Sequence, residues 1–253
     1  MKLINDIIST INENTQNALV KEVRIGPFWT GVWSKYGGLA STTFTHEPAM
    51  PPPIKEAGRL TEKSIGEICH YANSDCLLKA SVGMAAINSA IEVDLNKCRN
   101  INASEVLFEK GKDRKVVVVG HFPFVAKLRR FARQLWVVER KPQSGDIPAS
   151  EAKRVIPQAD VIAITGTALI NGTMGELLSL CPEKSLVMVL GPTAPLSPVW
   201  FDYGVDLVSG TRVIDPELVL RMVSEGVVFK QVHGRGVKLL TIQKEKKGSQ
   251  HLT

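Results

Sequence analysis

The first apolar residues recur at helical spacing. Leu3, Ile4, Ile7, Ile8 and Ile11 share one helical face, with polar residues between them. The pattern then shortens. ALVKEVRIG, FWTGVWSKYGG and LASTTFT are brief runs rich in Val, Thr and aromatic residues, and SKYGG is a turn signal between two of them. They predict a small antiparallel meander. HEPAMPPPIKEAGR follows, and its prolines block helix and interior strand, so it reads as a loop. Helices are predicted over about 62–71 and about 75–90. The second turns Leu78, Val82, Ala85 and Ala86 inward, and the small residues of GMAAINSA permit close packing. Residues 1–95 thus read as an α+β unit.

From about residue 100 strand-like and helical patterns alternate. KVVVVG, LWVVE, VIAITG, LVMVLG and VDLVSG read as strands. FVAKLRRFARQ, ASEAKRVI, GTMGELLSL and DPELVLRMVSEG read as helices, the last opened by Asp215 before Pro216. VVFKQV and VKLLTIQ predict a closing hairpin. Strands that are nearly all apolar and alternate with helices imply a parallel sheet covered on both faces. The predicted fold class is α/β: an α+β domain over 1–95, a Rossmann-like parallel-sheet domain over 96–245 and a basic tail, 246–253.

Composition narrows the setting. The 253 residues are 44% hydrophobic and 22% charged, as in a soluble globular protein. No segment approaches the roughly 20 apolar residues that cross a bilayer, and the N-terminus lacks a continuous signal core. None of the four cysteines, Cys69, Cys76, Cys98 and Cys181, sits in a C-x-x-C pair. A cytoplasmic protein with reduced thiols and no membrane partner is expected. The net charge of +6 permits anionic ligands without demanding nucleic acid. Lys127, Arg129, Arg130 and Arg133 make one predicted helix basic, but no recognition motif accompanies them, so nucleic acid is not the expected partner. Cys69 and His70, with Cys76 beyond, match no zinc spacing and read as packed residues, so no metal ligand is assigned.

In an open α/β sheet, ligands bind beyond the carboxyl ends of the strands. Here those ends are GHFPF, Glu139, TGTALINGT and GPTAPLSP. Gly120 allows a sharp exit from the first strand, and His121 follows at the sheet edge, suited to acid–base work. Pro123 removes a backbone donor where a Gly-rich phosphate cradle would stand. Glu139, 19 residues after Gly120, occupies the place where an acidic residue binds ribose hydroxyls, or is a solvated partner of Arg140. Thr165, Thr167, Asn171 and Thr173 flank Gly166 and offer uncharged groups to orient a polar ligand, with Thr173 or Asn171 also placed to cap the next helix. GPTAPLSP is a pocket wall or a cover for the sheet. Trp29, Trp33 and Tyr36 belong to the meander core or to a lid over the second domain.

VVVVGHFP, GDIP, ADVIAITGTALINGTMGELL, LGPTAPLSP and GVDLVSG, with WTGVW, YGG and GMAAIN before them, resemble the family labelled putative heavy-metal chelation. The resemblance implies an enolase N-terminal-like domain followed by an atypical Rossmann-like domain, with a site between them. It also implies condensation or hydrolysis of pterin-, flavin- or chelator-like molecules. By motif position it carries over His121, Glu139, Asp146, Thr165, Thr167, Asn171 and Asn88 as site candidates. The cofactor stays unknown. The primary expectation is a small-molecule enzyme with His121 catalytic and Gly120, Glu139, Asp146, Thr165, Gly166, Thr167, Asn171 and Asn88 at the ligand. The rivals are a binding protein for a metal chelate or nucleotide-like ligand, and an S-adenosylmethionine-dependent methyltransferase. A homodimer is compatible with each.

Overall fold

The computed structural model describes residues 1–44, 54–99 and 101–245. Most of the proline-rich loop and the basic tail lie outside them. The predicted meander forms: β1 (Glu22–Ile25), β2 (Trp29–Trp33) and β3 (Gly37–Ser41) pair antiparallel. Its two faces are both covered, which is why the strands show no clean polar alternation. Val32 and Ala40 join the core around the helix Leu77–Ala90, while Leu39 packs with Val219 and Val223 of the helix Pro216–Ser224. Helix Leu77–Ala90 is buried on nearly every side, so it has no polar stripe. Two glycines let it sit that close. A Cβ on Gly38 would lie 2.1 Å from the Ala85 carbonyl oxygen, and one on Gly83 would lie 2.0 Å from the Ala72 nitrogen.

After β4 (Cys98–Arg99) and the helix Ala103–Gly111 come β5 (Lys115–Val119), β6 (Gln134–Glu139), β7 (Ile147–Pro148), β8 (Val161–Thr165), β9 (Leu186–Leu190) and β10 (Leu207–Val213). They run parallel in the spatial order β10-β9-β8-β5-β6-β7. Alternate residues of each central strand feed opposite layers. Val117, Ile162 and Val189 face the larger core, while Val116, Val118 and Ala163 face Leu107 and Leu128. β11 (Val237–Gln243) returns antiparallel along β10 and carries β4 on its far edge. One residue pair, Val213–Gly37, joins β10 to β3 and makes a single sheet of α+β unit and Rossmann-like unit.

Several expectations change. FVAKLRRFARQ is helical only over Val125–Leu128. Residues beyond it hydrogen-bond backward instead: Asp113 N–H donates to the Phe131 carbonyl and Gln134 N–H to that of Arg114, starting β6 early. VVFKQV is not a strand. Phe229–Val232 is one helical turn, with the Gln231 side chain accepting from Val228 N–H. The partner of VKLLTIQ is β10, whose free edge offers a longer antiparallel match than a short hairpin. The helix expected over 62–71 is broken into the 3-10 turn Leu60–Glu62, helix Ile65–Cys69 with a Ser64/Glu67 capping box, and the 3-10 turn His70–Asn73. Helices Glu13–Asn17, Ala103–Gly111 and Thr167–Ile170 carry no strong periodic signal and were not expected. Asp215 caps its helix as predicted, accepting from Leu218 N–H at 3.0 Å.

Candidate functional site

Strand order places the site. β5 is followed on one side by β6 and β7, and the chain then crosses to β8 on the other side of β5. The carboxyl ends of β5 and β8 therefore flank the topological switch point, where open α/β sheets form a crevice. A cavity of about 1000 Å³ opens there. Gly120, His121, Glu139, Thr165, Thr167 and Asn171 border it, and the first unit contributes Thr43, Phe44 and Leu77 to its wall.

Each turn has a local cause. Gly120 adopts φ +100°, a conformation that side chains disfavour, and its N–H donates to the Val138 carbonyl. The chain thus swings toward β6. His121 N–H donates to Glu139 Oε2 at 3.1 Å, and Arg140 N–H donates to Oε1 at 2.7 Å. Glu139 is thus neither a free carboxylate nor a side-chain partner of Arg140; it ties the ends of β5 and β6 together. Backbone donors at this turn are consumed by that tie and by Pro123, so the turn has little left for a pyrophosphate.

The His121 ring is held from behind. Its Nδ1 lies 2.8 Å from Asp146 Oδ2, with a fully buried carboxylate side chain and a ring that is 31% exposed. A carboxylate accepts, which places the hydrogen of the neutral imidazole on Nδ1 and its lone pair on Nε2. Asp146 is positioned by its own loop. Gln143 N–H donates to Oδ2, Gly145 turns at φ +86°, and Arg129 Nη2 donates to the Gly145 carbonyl. Arg129 therefore braces the loop, and Lys127 lies over the Phe108 ring, so two of the basic helix residues already have partners. Among the described residues, buried Asp146 Oδ1 has no hydrogen-bond partner.

On the β8 side, Thr165 Oγ1 accepts from Thr167 N–H at 3.3 Å, and Thr167 Oγ1 reaches Ser41 Oγ at 3.4 Å. Asn171 Oδ1 accepts from Thr173 N–H and from its hydroxyl, so Asn171 shapes the turn while bordering the cavity. Thr173 makes no side-chain cap. Gly166 and Asn88 are not on the cavity wall. A Cβ on Gly166 would sit 2.6 Å from Ala194 N, so glycine is required for packing. Asn88 Nδ2 donates to the carbonyls of Leu39 and Pro192, joining helix, meander and the 192–197 segment. That segment, expected as pocket wall or cover, is buried between the units. Of the aromatic trio, Trp29 packs on Phe229 and Tyr36 on Arg212, both from the second unit.

Sequence reasoning missed Arg140, Lys141, Lys153 and Glu176 at the cavity. The signal for the first two was their place directly after Glu139. Lys153 and Glu176 pair at 3.1 Å across the opening, a contact no sequence pattern announces.

The fold and cavity define a class: an α+β unit continuous with a Rossmann-like sheet, with a cavity at the switch point and walls from both. Residues 8–91 and 102–242 each match a family described as putative heavy-metal chelation, and the chain belongs to that family. An uncharacterized protein of Methanocaldococcus jannaschii is 28% identical over 178 residues, 66% of this chain and 69% of that one. A crystal structure of a protein with unknown function from Desulfitobacterium hafniense superposes with TM-score 0.81 at 24% identity, over 96% of this chain and 98% of that chain. Another, from Pyrococcus horikoshii, gives TM-score 0.77 at 20% identity, over 96% and 100%. These solved structures speak to the fold alone.

The family description names heavy metals, and soft metals are held by clustered thiolates or imidazoles. The described residues do not fit. No three His, Cys, Asp or Glu side chains converge on one point among them. Burial raises the Cys69 thiol far above its ordinary range and pushes Cys181 up to about 11, so both stay protonated at neutral pH. Among the described residues no helix is long and apolar enough to cross a membrane.

Proposed function

We propose that the protein is an acid–base enzyme acting on a polar small molecule in the cavity between the two units. One observation carries this reading: the buried Asp146 carboxylate holds His121 Nδ1 at 2.8 Å while the ring borders the cavity. A carboxylate behind an imidazole fixes its tautomer and stabilises the imidazolium formed when Nε2 takes a proton. In a hydrolysis or condensation, Nε2 accepts the proton of the attacking hydroxyl, amine or water, and then returns it to the leaving group. Thr165 and Thr167 hydroxyls and the Asn171 amide orient the substrate. Glu139 keeps His121 in place through its backbone and presents remaining lone pairs to the ligand. Metals enter this reading through the small molecule that is made, cleaved or carried. Cys69, Cys98 and Cys181 form no disulfide and fit a cytoplasmic location, and the engaged Lys127 and Arg129 argue against a nucleic-acid face.

The methyltransferase alternative loses support from the turn itself, where His121 N–H is already bonded to Glu139. The test is native mass spectrometry of the purified protein against its denatured mass, followed by turnover of any released organic molecule. Turnover that disappears in His121→Ala supports the enzyme. Tight binding without turnover supports a carrier. A wild-type rate in His121→Ala removes the acid–base assignment.

A further inference from the structure

A second groove, of about 550 Å³, shares no residue with the first cavity. It lies where β3, β10 and β11 meet, and Lys35, Tyr36, Leu95, Arg212, Ile214 and Lys238 line it. Arg212 and Lys238 are direct cross-strand partners in the antiparallel β10–β11 ladder. Side chains at such positions project from the same face, with Cβ atoms about 5 Å apart, and like charges there oppose the pairing. Among the described residues neither cation has an ion pair or a side-chain hydrogen bond; the contact made by Arg212 is with a ring. Its Cζ lies 3.8 Å from the Tyr36 centroid. Stacking fixes the guanidinium plane and leaves its N–H edges free to grip an oxyanion in bidentate fashion. Lys35, by contrast, is already paired with Glu92 at 3.1 Å. Beside the charges, Leu95 is 60% exposed and Ile214 51% exposed, which gives the groove uncovered apolar wall.

We propose that this groove binds a small organic phosphate, with the phosphate between Arg212 and Lys238 and the carbon portion against Leu95 and Ile214. The anion resolves the repulsion built into the β10–β11 pair. This site is independent of the acid–base reading of His121.

The full-length 15N-labelled protein is titrated with phenyl phosphate, with inorganic phosphate and with sodium chloride at matched ionic strength, following backbone amides by NMR. Both phosphates give saturating shifts at Arg212, Ile214 and Lys238, phenyl phosphate at lower concentration. Arg212→Gln weakens both by about tenfold, as loss of one charge-assisted contact implies. His121→Ala leaves the titration unchanged. In phosphate-free buffer Lys238→Gln melts at or above the wild-type temperature, because a repulsion is gone. Chloride shifts as large as those from phosphate, or unchanged titrations in both Arg212→Gln and Lys238→Gln, overturn the proposal. So does a lower melting temperature of Lys238→Gln without phosphate, since the two cations would then not be in conflict.

Discussion

Asp146→Ala separates orientation from folding. The substitution removes the acceptor of His121 Nδ1 and of Gln143 N–H, and nothing else among the described contacts of this carboxylate. A hydrogen bond to a charged group is worth about 1.5–3 kcal/mol. The ring is 31% exposed, so water replaces part of that, and the lower end applies. At 1.4 kcal/mol per decade, the Nδ1–H tautomer of neutral His121 loses a factor of about 10 in relative population. Stability moves less. The same side chain carries a buried Oδ1 with no partner among the described residues, whose desolvation is relieved by the substitution. The two effects offset to within about 1 kcal/mol. Long-range 1H–15N NMR of the imidazole reads the tautomer, and a urea titration reads the stability. Wild type shows one tautomer, protonated on Nδ1; the variant shows a mixture. A wild-type mixture, or a variant with unchanged tautomer populations, refutes the argument that Asp146 holds the ring.

Gly38→Ala forces a Cβ against the Ala85 carbonyl oxygen and is expected to cost about 1–3 kcal/mol, or more if the helix cannot shift; an unchanged urea midpoint would show the contact to be looser than described. Asp215→Ala removes the cap from Leu218 N–H and should cost about 0.5–2 kcal/mol in the same assay, whereas Asp215→Asn should recover most of it. Alkaline pH should destabilise the protein. Burial pushes Cys181 up to about 11, burial and Glu56 push Tyr71 up to about 12, and the hydrogen bond to Asp6 pushes Tyr203 up to about 12. The folded state holds these protons more tightly than the unfolded chain, whose thiols and phenols ionise near 9 and 10. Their stabilising contribution is full below about pH 9 and is lost as pH rises toward 11 and 12. Urea midpoints that stay constant between about pH 8 and 11 would contradict this.

The parallel strands were legible because each is a short apolar run closed by Gly, Thr or a charge, and the meander because its turns carry Gly. What local pattern could not carry is where strands meet. Nothing near Val213 or Gly37 indicates that they pair, and VKLLTIQ pairs with β10 rather than with its sequence neighbour. The turns at Gly120, Glu139 and Thr165 could be placed at the sheet edge by strand counting alone. Asp146 could not be linked to His121 that way. It reaches the ring through a loop shaped by a left-handed Gly145 and a guanidinium from another element, which is tertiary information. Asn88 shows the opposite case: the family resemblance made it a ligand candidate, and its amide instead donates to three main-chain carbonyls in two segments, Leu39 of β3 and the adjacent Pro192 and Thr193.

The outer edge of β3 is closed by residues made much later, Val213 through the ladder and Thr193 through its hydroxyl to Ser41 N–H. During synthesis the meander emerges long before either. An open strand edge is a template for pairing with other chains. The nascent protein therefore passes through a stage in which its N-terminal sheet is complete in sequence yet unsealed, and the last strands act as the seal. Truncation of the chain before β10 should accordingly produce aggregation rather than a smaller folded protein, and ribosome-bound chains of that length are the form in which a chaperone would find a substrate.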